Sequence, residues 1–206
     1  MKSDVRDSYN AVCDKWTEFR SHCRVDSCIR RLAENLPEGC RVLDVGCGSG
    51  YPISAFLSKC GFEVVGIDIS ENMIAKARSL DLPNARFLLC DYMKFQSDTP
   101  FDAIIAFDSL WHIPYKFQRD IYSKASSLLT DKGYFLFTHG KSDGEINGVM
   151  WEHDFYYSAL NCSDVVELLN KNSFKIVSIV ENYSDPTSGQ RDLFIIAQKV
   201  VNNIIR

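Results

Sequence analysis

Short apolar runs alternate with helical patterns over the middle of the chain. The apolar runs cover residues 41–45, 62–67, 86–90, 101–107 and 133–138, and the helical patterns lie between them at 52–60, 71–80 and 115–129. Buried parallel strands have continuous apolar runs, and repeated strand–helix units build a parallel sheet that is covered on both faces. The pattern therefore predicts an α/β fold around a doubly wound sheet.

The chain before the first apolar run has helical spacing. Apolar side chains recur at helical intervals through residues 4–36, and the turn residues at 37–39 end that region. Three aromatic residues of the first helix, Tyr9, Trp16 and Phe19, have two interpretations: they form a lid over a site, or they cover the edge of the sheet.

The C-terminal third follows a different pattern. A helix is predicted at 163–172 with Ser163 as its N-cap, followed by strand-like runs at 174–180 and 192–197. Only a ten-residue stretch rich in turn residues separates these runs, so they predict an antiparallel hairpin. Residues 140–161 are interpreted as a long loop, and a long loop in a compact domain is usually functional.

Composition and charge exclude several classes of protein. The 206 residues are 46% hydrophobic and 24% charged, which rules out a disordered or fibrous chain and fits one domain. The net charge of −4 gives no basic footprint for nucleic acid. No apolar run approaches the ~20 residues of a membrane span, and the first residues do not form a signal peptide. We expect a cytoplasmic protein that binds neither nucleic acid nor membranes.

The eight cysteines do not have the spacing of a metal site. No C-x-x-C pair occurs, and the closest pair, Cys23 and Cys28, has no second pair to complete a zinc site. Since no export signal accompanies them, we interpret them as reduced thiols and expect no metal.

Three glycines follow the first strand. Residues 42–50 read V-L-D-V-G-C-G-S-G, and Pro52 suits the first turn of the helix that follows. Glycines let a backbone turn tightly and approach a ligand closely. Tyr51 stands where a dinucleotide fingerprint needs its third glycine, and no Walker lysine is present. Asp44, just before the loop, would repel a phosphate and suits a cationic ligand.

Four strand ends each carry an aspartate. Asp44, Asp68, Asp91 and Asp108 follow or close successive apolar runs. One such aspartate is an ordinary cap or turn residue. Because the carboxyl ends of parallel strands meet at one edge of a sheet, four of them beside a glycine loop predict a ligand cleft.

These motifs resemble class I S-adenosylmethionine-dependent methyltransferases. The likeness covers about residues 37–140, and its motifs are at residues 42–50, 66–70 with Met73, 90–92 and 101–106. One departure is the turn at 130–133, where Thr-Asp-Lys-Gly replaces the family's Pro-Gly-Gly. The fold that we expect is a Rossmann-like, doubly wound, seven-stranded, mostly parallel sheet with helices on both faces and a C-terminal antiparallel hairpin.

The resemblance implies S-adenosylmethionine as the cofactor. Asp68 would accept from the ribose hydroxyls, Asp91 would face the adenine amino group, and Asp44 would lie near the ammonium of the amino-acid tail. The full set implied for the cofactor is Asp44, Gly46, Cys47, Gly48, Gly50, Asp68, Ile69, Met73, Asp91, Tyr92 and Phe107. The aromatic residues Phe107, Trp111 and Tyr9 either present ring faces to the sulfonium or pack in the core.

The segment after the fourth strand should border the acceptor. His112 is interpreted either as a general base or as a histidine that packs or caps the next helix. Asp108 would orient the acceptor or the cofactor. His112 and Asp108 are thus the candidate catalytic residues.

Missing motifs narrow the acceptor to a small molecule. Asp108-Ser109-Leu110-Trp111 replaces the Asn/Asp-Pro-Pro-Tyr/Phe motif of amino methylation on DNA bases, no proline precedes a cysteine, and no glutamate lies between Glu71 and Glu145 for a protein-arginine enzyme. The alternative function is a catalytically inactive cofactor-binding module that regulates or partners another protein. An NAD-linked oxidoreductase fails on the missing third glycine.

The predicted organisation is one methyltransferase domain of 206 residues with three parts. Residues 1–36 are a helical lid or extension, 37–140 the cofactor-binding core, and 141–206 the acceptor-side loop with the terminal hairpin. Within the last part, residues 151–157 are placed where they would line the acceptor site.

Overall fold

The computed structural model describes residues 4–200, so residues 1–3 and 201–206 of the predicted first and last parts lie outside the described chain. The helices are α1 Val5–Ser21, α2 Ser27–Glu34, α3 Ile53–Lys59, α4 Glu71–Arg78, α5 Ile121–Leu128 and α6 Cys162–Lys171. The strands are β1 Arg41–Val45, β2 Glu63–Asp68, β3 Ala85–Leu89, β4 Phe101–Ala106, β5 Leu129–His139, β6 Gly144–Met150, β7 His153–Ala159, β8 Phe174–Asp185 and β9 Gly189–Lys199.

Seven strands form one sheet in the order β3-β2-β1-β4-β5-β9-β8. The first five are parallel, while β9 runs antiparallel to both β5 and β8. The strand order reverses between β1 and β4, and in such sheets the crevice outside the carboxyl ends at the reversal is where ligands bind. This confirms the predicted fold class, including the terminal antiparallel hairpin.

Two large apolar clusters cover the two faces of this sheet. One surrounds Phe101, Phe135 and Phe137 beneath α5 and α6, and the other joins Ile29 and Leu57 of α2 and α3 to the opposite face. The strands are buried on both sides, which explains their continuous apolar runs.

The interpretation of residues 140–161 as a loop was wrong. Strands β6 and β7 pair there as an antiparallel hairpin outside the main sheet, with Met150 opposite His153. Trp151 and Glu152 make the two-residue turn, and both have positive φ angles, +50° and +69°. Such turns usually carry Asn-Gly or a similar pair, so the Trp-Glu pair concealed the hairpin.

Three other boundaries also differ from the prediction. Strands β8 and β9 extend to Asp185 and from Gly189, so three residues, not ten, connect them. Helix α6 begins one residue earlier than expected, because Asn161 accepts from the backbone N–H of Asp164 at 2.9 Å and is the N-cap in place of Ser163.

The segments predicted as helical at 4–36 and 115–129 are each divided. Asp26 caps α2 through the backbone N–H of Cys28, so the first segment forms two helices. In the second, a 3₁₀ segment at Tyr115–Asp120 precedes α5, and the chain becomes extended at Leu129, which pairs with Phe101. Within residues 4–200, no helix is both long and apolar enough to cross a membrane.

Candidate functional site

A cavity of about 810 Å³ lies at the carboxyl ends of β1, β2 and β4, where the strand order reverses. The predicted residues that line it are Asp44, Gly46, Cys47, Gly48, Asp68, Ile69, Met73, Asp91, Tyr92, Phe107, Asp108 and His112. Gly50 is absent from the lining. A Cβ there would lie 2.8 Å from Leu80 Cδ1 and 3.4 Å from Phe87 Cζ, so this glycine lets the loop pack under α4.

The glycine loop approaches its neighbours too closely for side chains. Gly46 and Gly48 have φ angles of +72° and +55°, in the left-handed region that favours glycine. A Cβ on Gly46 would lie 2.4 Å from Ser109 Cβ. The backbone N–H groups of Gly46 and Cys47 both donate to the Ile67 carbonyl, which ties the loop to the end of β2.

Asp68 connects three elements around the cavity. Its Oδ2 accepts from the backbone N–H of Gly48 and its Oδ1 from that of Ser70, each at 2.9 Å. A carboxylate oxygen can accept more than one hydrogen bond, so both oxygens keep capacity for a ligand. Burial raises the pKa of Asp68, against the lowering effect of those backbone donors.

Asp44 is a second buried carboxyl on the floor of the cavity. It is 2% exposed, and its Oδ2 accepts from Ser54 Oγ at 2.6 Å. Burial raises the pKa of Asp44 to about 6, although the Ser54 hydroxyl and the charge of Arg20 oppose the shift. A desolvated carboxyl of this kind is restored to its charged form by a cation placed beside it.

Asp91 lines the cavity from the end of β3. Its Oδ1 accepts from the backbone N–H of Met93 at 2.9 Å, so the carboxylate also caps the short 3₁₀ turn Tyr92–Lys94. Tyr92 lies beneath it, with a buried ring and a hydroxyl that donates to the Ile121 carbonyl at 3.3 Å.

Helix α1 closes one side of the cavity and contacts both α4 and β7. Asn10 Oδ1 accepts from Ser70 Oγ at 2.6 Å, and Asn10 Nδ2 donates to Glu71 at 2.8 Å. On the other side, Ser8 Oγ donates to the Asp154 carbonyl at 2.6 Å. The helix is therefore fixed beside Asp68 and beside the hairpin.

The same helix brings a cation that sequence reasoning missed. Arg20 lines the cavity, and its guanidinium carbon lies 5.6 Å from the centre of the Trp16 ring. Trp16 itself lies against the glycine loop, since a Cβ on Gly48 would be 3.4 Å from its Nε1. The i, i+4 spacing of Trp16 and Arg20 was the available signal, because it puts both residues on one helix face.

Asp108 is paired with an arginine from the far end of the chain. Both Asp108 oxygens accept from the Arg191 guanidinium, one from Nε and one, at 2.6 Å, from Nη2. The two side chains are only 15% and 10% exposed. Asp108 has a φ of +60°, and its N–H donates to Thr138 Oγ1 at 2.8 Å. The carboxylate is therefore held as a fixed charge, and nothing in the sequence pattern indicated Arg191.

His112 lies in the wall of the cavity between α1 and β7. Its Nε2 is 2.9 Å from Tyr9 Oη and accepts from Trp111 Nε1 at 3.2 Å, while its Nδ1 is 2.8 Å from the Tyr156 carbonyl. Burial lowers the pKa of His112 to about 4, so the ring is neutral at physiological pH. The structure thus places His112 in a polar network rather than at a helix cap.

The cavity extends past these residues to a second group of side chains. They belong to the 3₁₀ segment after β4, to the hairpin and to the start of α1, and include Tyr115, Lys116, Glu145, Tyr156 and Arg6. Tyr156 Oη accepts from the backbone N–H of Tyr115 at 2.9 Å and donates to Glu145 at 2.6 Å. Tyr156 belongs to the segment 151–157 that was predicted to line the acceptor site. Glu145 and Tyr115 were not predicted as site residues, because Glu145 lies on the unpredicted strand β6 and Tyr115 begins a segment that was predicted only as helical.

Comparison with known proteins gives one family. A family model described as "Methyltransferase domain" matches residues 36–200. YqeM of Bacillus subtilis is 35% identical over 137 residues, which are 63% of this chain and 54% of that protein. Squalene methyltransferase 1 of Botryococcus braunii is 38% identical over 110 residues, 48% of this chain and 28% of that one. The chain thus spans from about a quarter to about half of the length of these relatives.

A solved structure shares the fold over nearly the whole chain. Magnesium protoporphyrin IX methyltransferase from Synechocystis, with S-adenosylhomocysteine bound, has a TM-score of 0.70 and 22% identity, and covers 95% of this chain and 97% of its own. A methyltransferase structure from Methanosarcina mazei has a TM-score of 0.69 and 23% identity, with coverages of 83% and 97%.

Replacement of Arg191 tests whether the Asp108–Arg191 ion pair is required for the stability of the protein. Arg191→Met leaves the Asp108 charge without a partner and should lower the free energy of unfolding by about 3–5 kcal/mol. Urea denaturation measures this. The double variant Asp108→Asn/Arg191→Met should regain much of the loss, since no charge is then left unpaired.

The exposed pair Arg119–Asp164 supplies the matched control for that change. Arg119→Met should change the unfolding free energy by less than about 1 kcal/mol. Equal effects of the two arginine substitutions would contradict a buried, structurally required pair.

Proposed function

Because the chain belongs to the family of class I S-adenosylmethionine-dependent methyltransferase domains, we propose that it transfers the methyl group of S-adenosylmethionine to a small-molecule acceptor. The family membership confirms the predicted class and the predicted cofactor. The observation that carries the proposal is the cavity, in which the buried carboxyl of Asp44, the half-buried carboxyl of Asp68 and the glycine loop lie next to a separate group of aromatic and polar residues.

The residues on the cavity floor fit the cofactor. Gly46 and Gly48 form a cradle that a Cβ would fill, and Ser109 Oγ, which lines the cavity beside them, is buried without a hydrogen-bond partner among residues 4–200. Desolvated Asp44 and Asp68 complement a ligand that carries an ammonium, a sulfonium and sugar hydroxyls. When bound, S-adenosylmethionine supplies an electrophilic methyl group on its sulfonium.

Each floor residue has an assigned contact. Asp68 would hold the ribose hydroxyls, Asp91 with Tyr92 the adenine, and Asp44 the ammonium of the amino-acid tail. Arg20, beside the glycine loop, would pair with the carboxylate of the tail, because a guanidinium binds a carboxylate through two parallel hydrogen bonds.

Three observations support a small acceptor. The cavity of about 810 Å³ is near the top of the ~300–1,000 Å³ range of small-molecule sites, which leaves room beside the donor. Its far end is lined by Tyr115 and Tyr156 on rigid elements. Two of the proteins named above are, by name, methyltransferases of squalene and of magnesium protoporphyrin IX. No observation favours the alternative of an inactive cofactor-binding module.

We propose that the three parts of the domain have the roles that the sequence predicted for them. Helix α1 acts as a lid because it spans from α4 to β7 over the cavity, and the segment from β6 to β9 supplies the acceptor side. Holding acceptor and methyl together in a closed site is the main source of rate in such a displacement, since effective molarities reach about 10⁵–10⁸ M.

Cofactor binding should depend on Asp68. Addition of S-adenosylmethionine or S-adenosylhomocysteine at 100 times its Kd should stabilise the protein by about 2.7 kcal/mol and raise its Tm, and NAD should not. Asp68→Ala should abolish the shift because the ribose contacts are lost. Thermal denaturation is the measurement, and Asp131→Asn, an exposed acid away from the cavity, is the control. A normal shift in Asp68→Ala would contradict the assigned site.

Binding should release a proton from Asp44. Since the pKa of Asp44 is about 6 in the free protein and an ammonium favours the charged carboxyl, affinity should be highest above pH 6 and fall as the pH drops below it. At pH 6 about half a proton should be released, measured by calorimetry in two buffers of different ionisation enthalpy. The Asp44→Asn variant should bind the cofactor more weakly and release fewer protons. Unchanged proton release in that variant would show that the proton comes from another group.

The role of Arg20 can be separated from the rest of the site by choice of ligand. Arg20→Gln should lower the affinity for S-adenosylhomocysteine by about 10- to 100-fold, because a hydrogen bond to a charged group contributes about 1.5–3 kcal/mol. It should leave 5′-methylthioadenosine, which lacks the amino-acid tail, unaffected. Titration calorimetry measures the Kd of each ligand, and Arg24→Gln, which replaces an exposed arginine, is the control. Equal losses for the two ligands would contradict a tail contact.

A further inference from the structure

The hydrogen bonds of His112 determine which of its ring nitrogens carries the proton. The indole N–H of Trp111 can only donate, and it points at His112 Nε2 at 3.2 Å. Nε2 therefore presents its lone pair, and Nδ1 carries the hydrogen that is donated to the Tyr156 carbonyl at 2.8 Å. In this tautomer His112 Nε2 is a proton acceptor that faces Tyr9.

Tyr9 lies between that acceptor and the cavity. Its hydroxyl, 2.9 Å from His112 Nε2, donates to the single Nε2 lone pair that the Trp111 indole also approaches at the longer distance of 3.2 Å, because Nε2 has no hydrogen of its own. A phenolic oxygen that donates its hydrogen still accepts through its lone pairs. The Tyr9 ring is fixed edge-on against Phe155 and Trp16, with ring centroids 5.0 and 5.8 Å away, and both Tyr9 and His112 line the cavity.

We propose that Tyr9 and His112 form a proton relay, and that the acceptor is a molecule that loses a proton from oxygen, nitrogen or sulfur as it is methylated. This inference rests on the proposed methyl transfer. It gives Tyr9 a catalytic role, and it gives His112 the role of the base that acts through Tyr9 rather than by direct contact with the acceptor.

The relay balances atoms and charge. The acceptor heteroatom forms a bond to the methyl carbon, and the electron pair of the broken carbon–sulfur bond stays on sulfur. The acceptor's proton passes to Tyr9 Oη while the Tyr9 hydrogen passes to His112 Nε2. One positive charge disappears from sulfur and one appears on the imidazolium, which later releases its proton to solvent.

The surroundings of the pair suit this exchange. Burial lowers the pKa of His112 to about 4, which leaves its lone pair free at physiological pH but makes the ring a weak base, and burial raises the pKa of Tyr9, so the phenol stays protonated. The charge of Asp108 acts in the opposite sense on His112 and stabilises the imidazolium that forms.

Other charged and titratable groups also face the pair. Asp68 and Tyr157 raise the pKa of Tyr9, Arg20 lowers it, and Arg191 partly neutralises Asp108. Protonation of His112 as the pH falls through about 4 would block the relay, so kcat should decline on that acidic limb.

The test compares two relay variants with a matched control. Tyr9→Phe removes the hydroxyl and keeps the ring, and His112→Gln keeps an acceptor for Tyr9 that cannot take its proton. Tyr134→Phe is the control, because it removes the same hydroxyl from a tyrosine on β5 that does not line the cavity. The probe acceptors are phenol, aniline and thiophenol, with styrene as a probe without such a proton, and release of S-adenosylhomocysteine is measured.

The relay predicts a specific pattern of kinetic change. Tyr9→Phe and His112→Gln should each lower kcat by about 10²-fold or more, with KM and the Kd of S-adenosylhomocysteine within about threefold of the original values. The double variant should be no slower than the worse single variant, since the two groups act as one unit. The acidic limb of the pH profile should disappear in His112→Gln, and Tyr134→Phe should behave as the unchanged protein.

A second readout does not depend on turnover. Nitrogen-15 NMR of labelled histidine should show the tautomer with hydrogen on Nδ1 at neutral pH, and Tyr9→Phe but not Tyr134→Phe should shift the Nε2 resonance. The opposite tautomer would overturn the relay, because Nε2 could then not accept the proton.

The kinetic outcomes separate the relay from the function on which it rests. Transfer to styrene as fast as to the three proton-bearing probes, or unchanged kcat in both relay variants, would overturn the relay and leave methyl transfer standing. Absence of transfer to every probe by the unsubstituted protein would overturn the proposed function and the relay with it.

Discussion

The carboxylate of Asp68 is the interaction on which the site depends. It accepts one backbone hydrogen bond from the glycine loop after β1 and another from the first residues after β2, so a single side chain sets the distance between two strand ends. Ser70, which donates to Asp68, also caps α4 through its hydroxyl and bonds to Asn10 of α1. The position of α1 is therefore linked to the carboxylate that would bind the ribose.

Burial of several charges around one cavity is favourable only if they are compensated. Asp108 is compensated within the protein by Arg191, and the side chains of this pair are only 15% and 10% exposed. Asp44 accepts a hydrogen bond from the Ser54 hydroxyl at 2.6 Å, and burial raises its pKa to about 6. One carboxyl is thus held by the fold and the other is available to a cationic ligand, which separates a structural role from a binding role among residues that look alike in the sequence.

The central sheet and the cavity floor could be predicted because their signals are local. A buried strand, a glycine loop and an aspartate at the strand end are contiguous in the chain, and β1 is Arg41–Val45 as the apolar run indicated. Gly50 shows the limit of that reasoning: it belongs to the motif, yet its lack of a side chain serves the contact with Leu80 and Phe87 and not the cavity wall. A glycine in a motif indicates that another group lies close to the backbone there, but it does not identify that group.

The remaining walls could not be predicted because they join distant parts of the chain. Arg191 reaches Asp108 across 83 positions, and the hairpin that supplies Tyr156 turns on a Trp-Glu pair whose positive φ angles no turn signal announced. His112 is the clearest case. The sequence left two interpretations, a general base or a histidine that packs or caps the next helix, and its tautomer follows only from the Trp111 indole on one side and the Tyr156 carbonyl on the other. A side chain's chemistry in such a site depends on its neighbours in space, so the protonation state of His112 is a property of the fold as a whole.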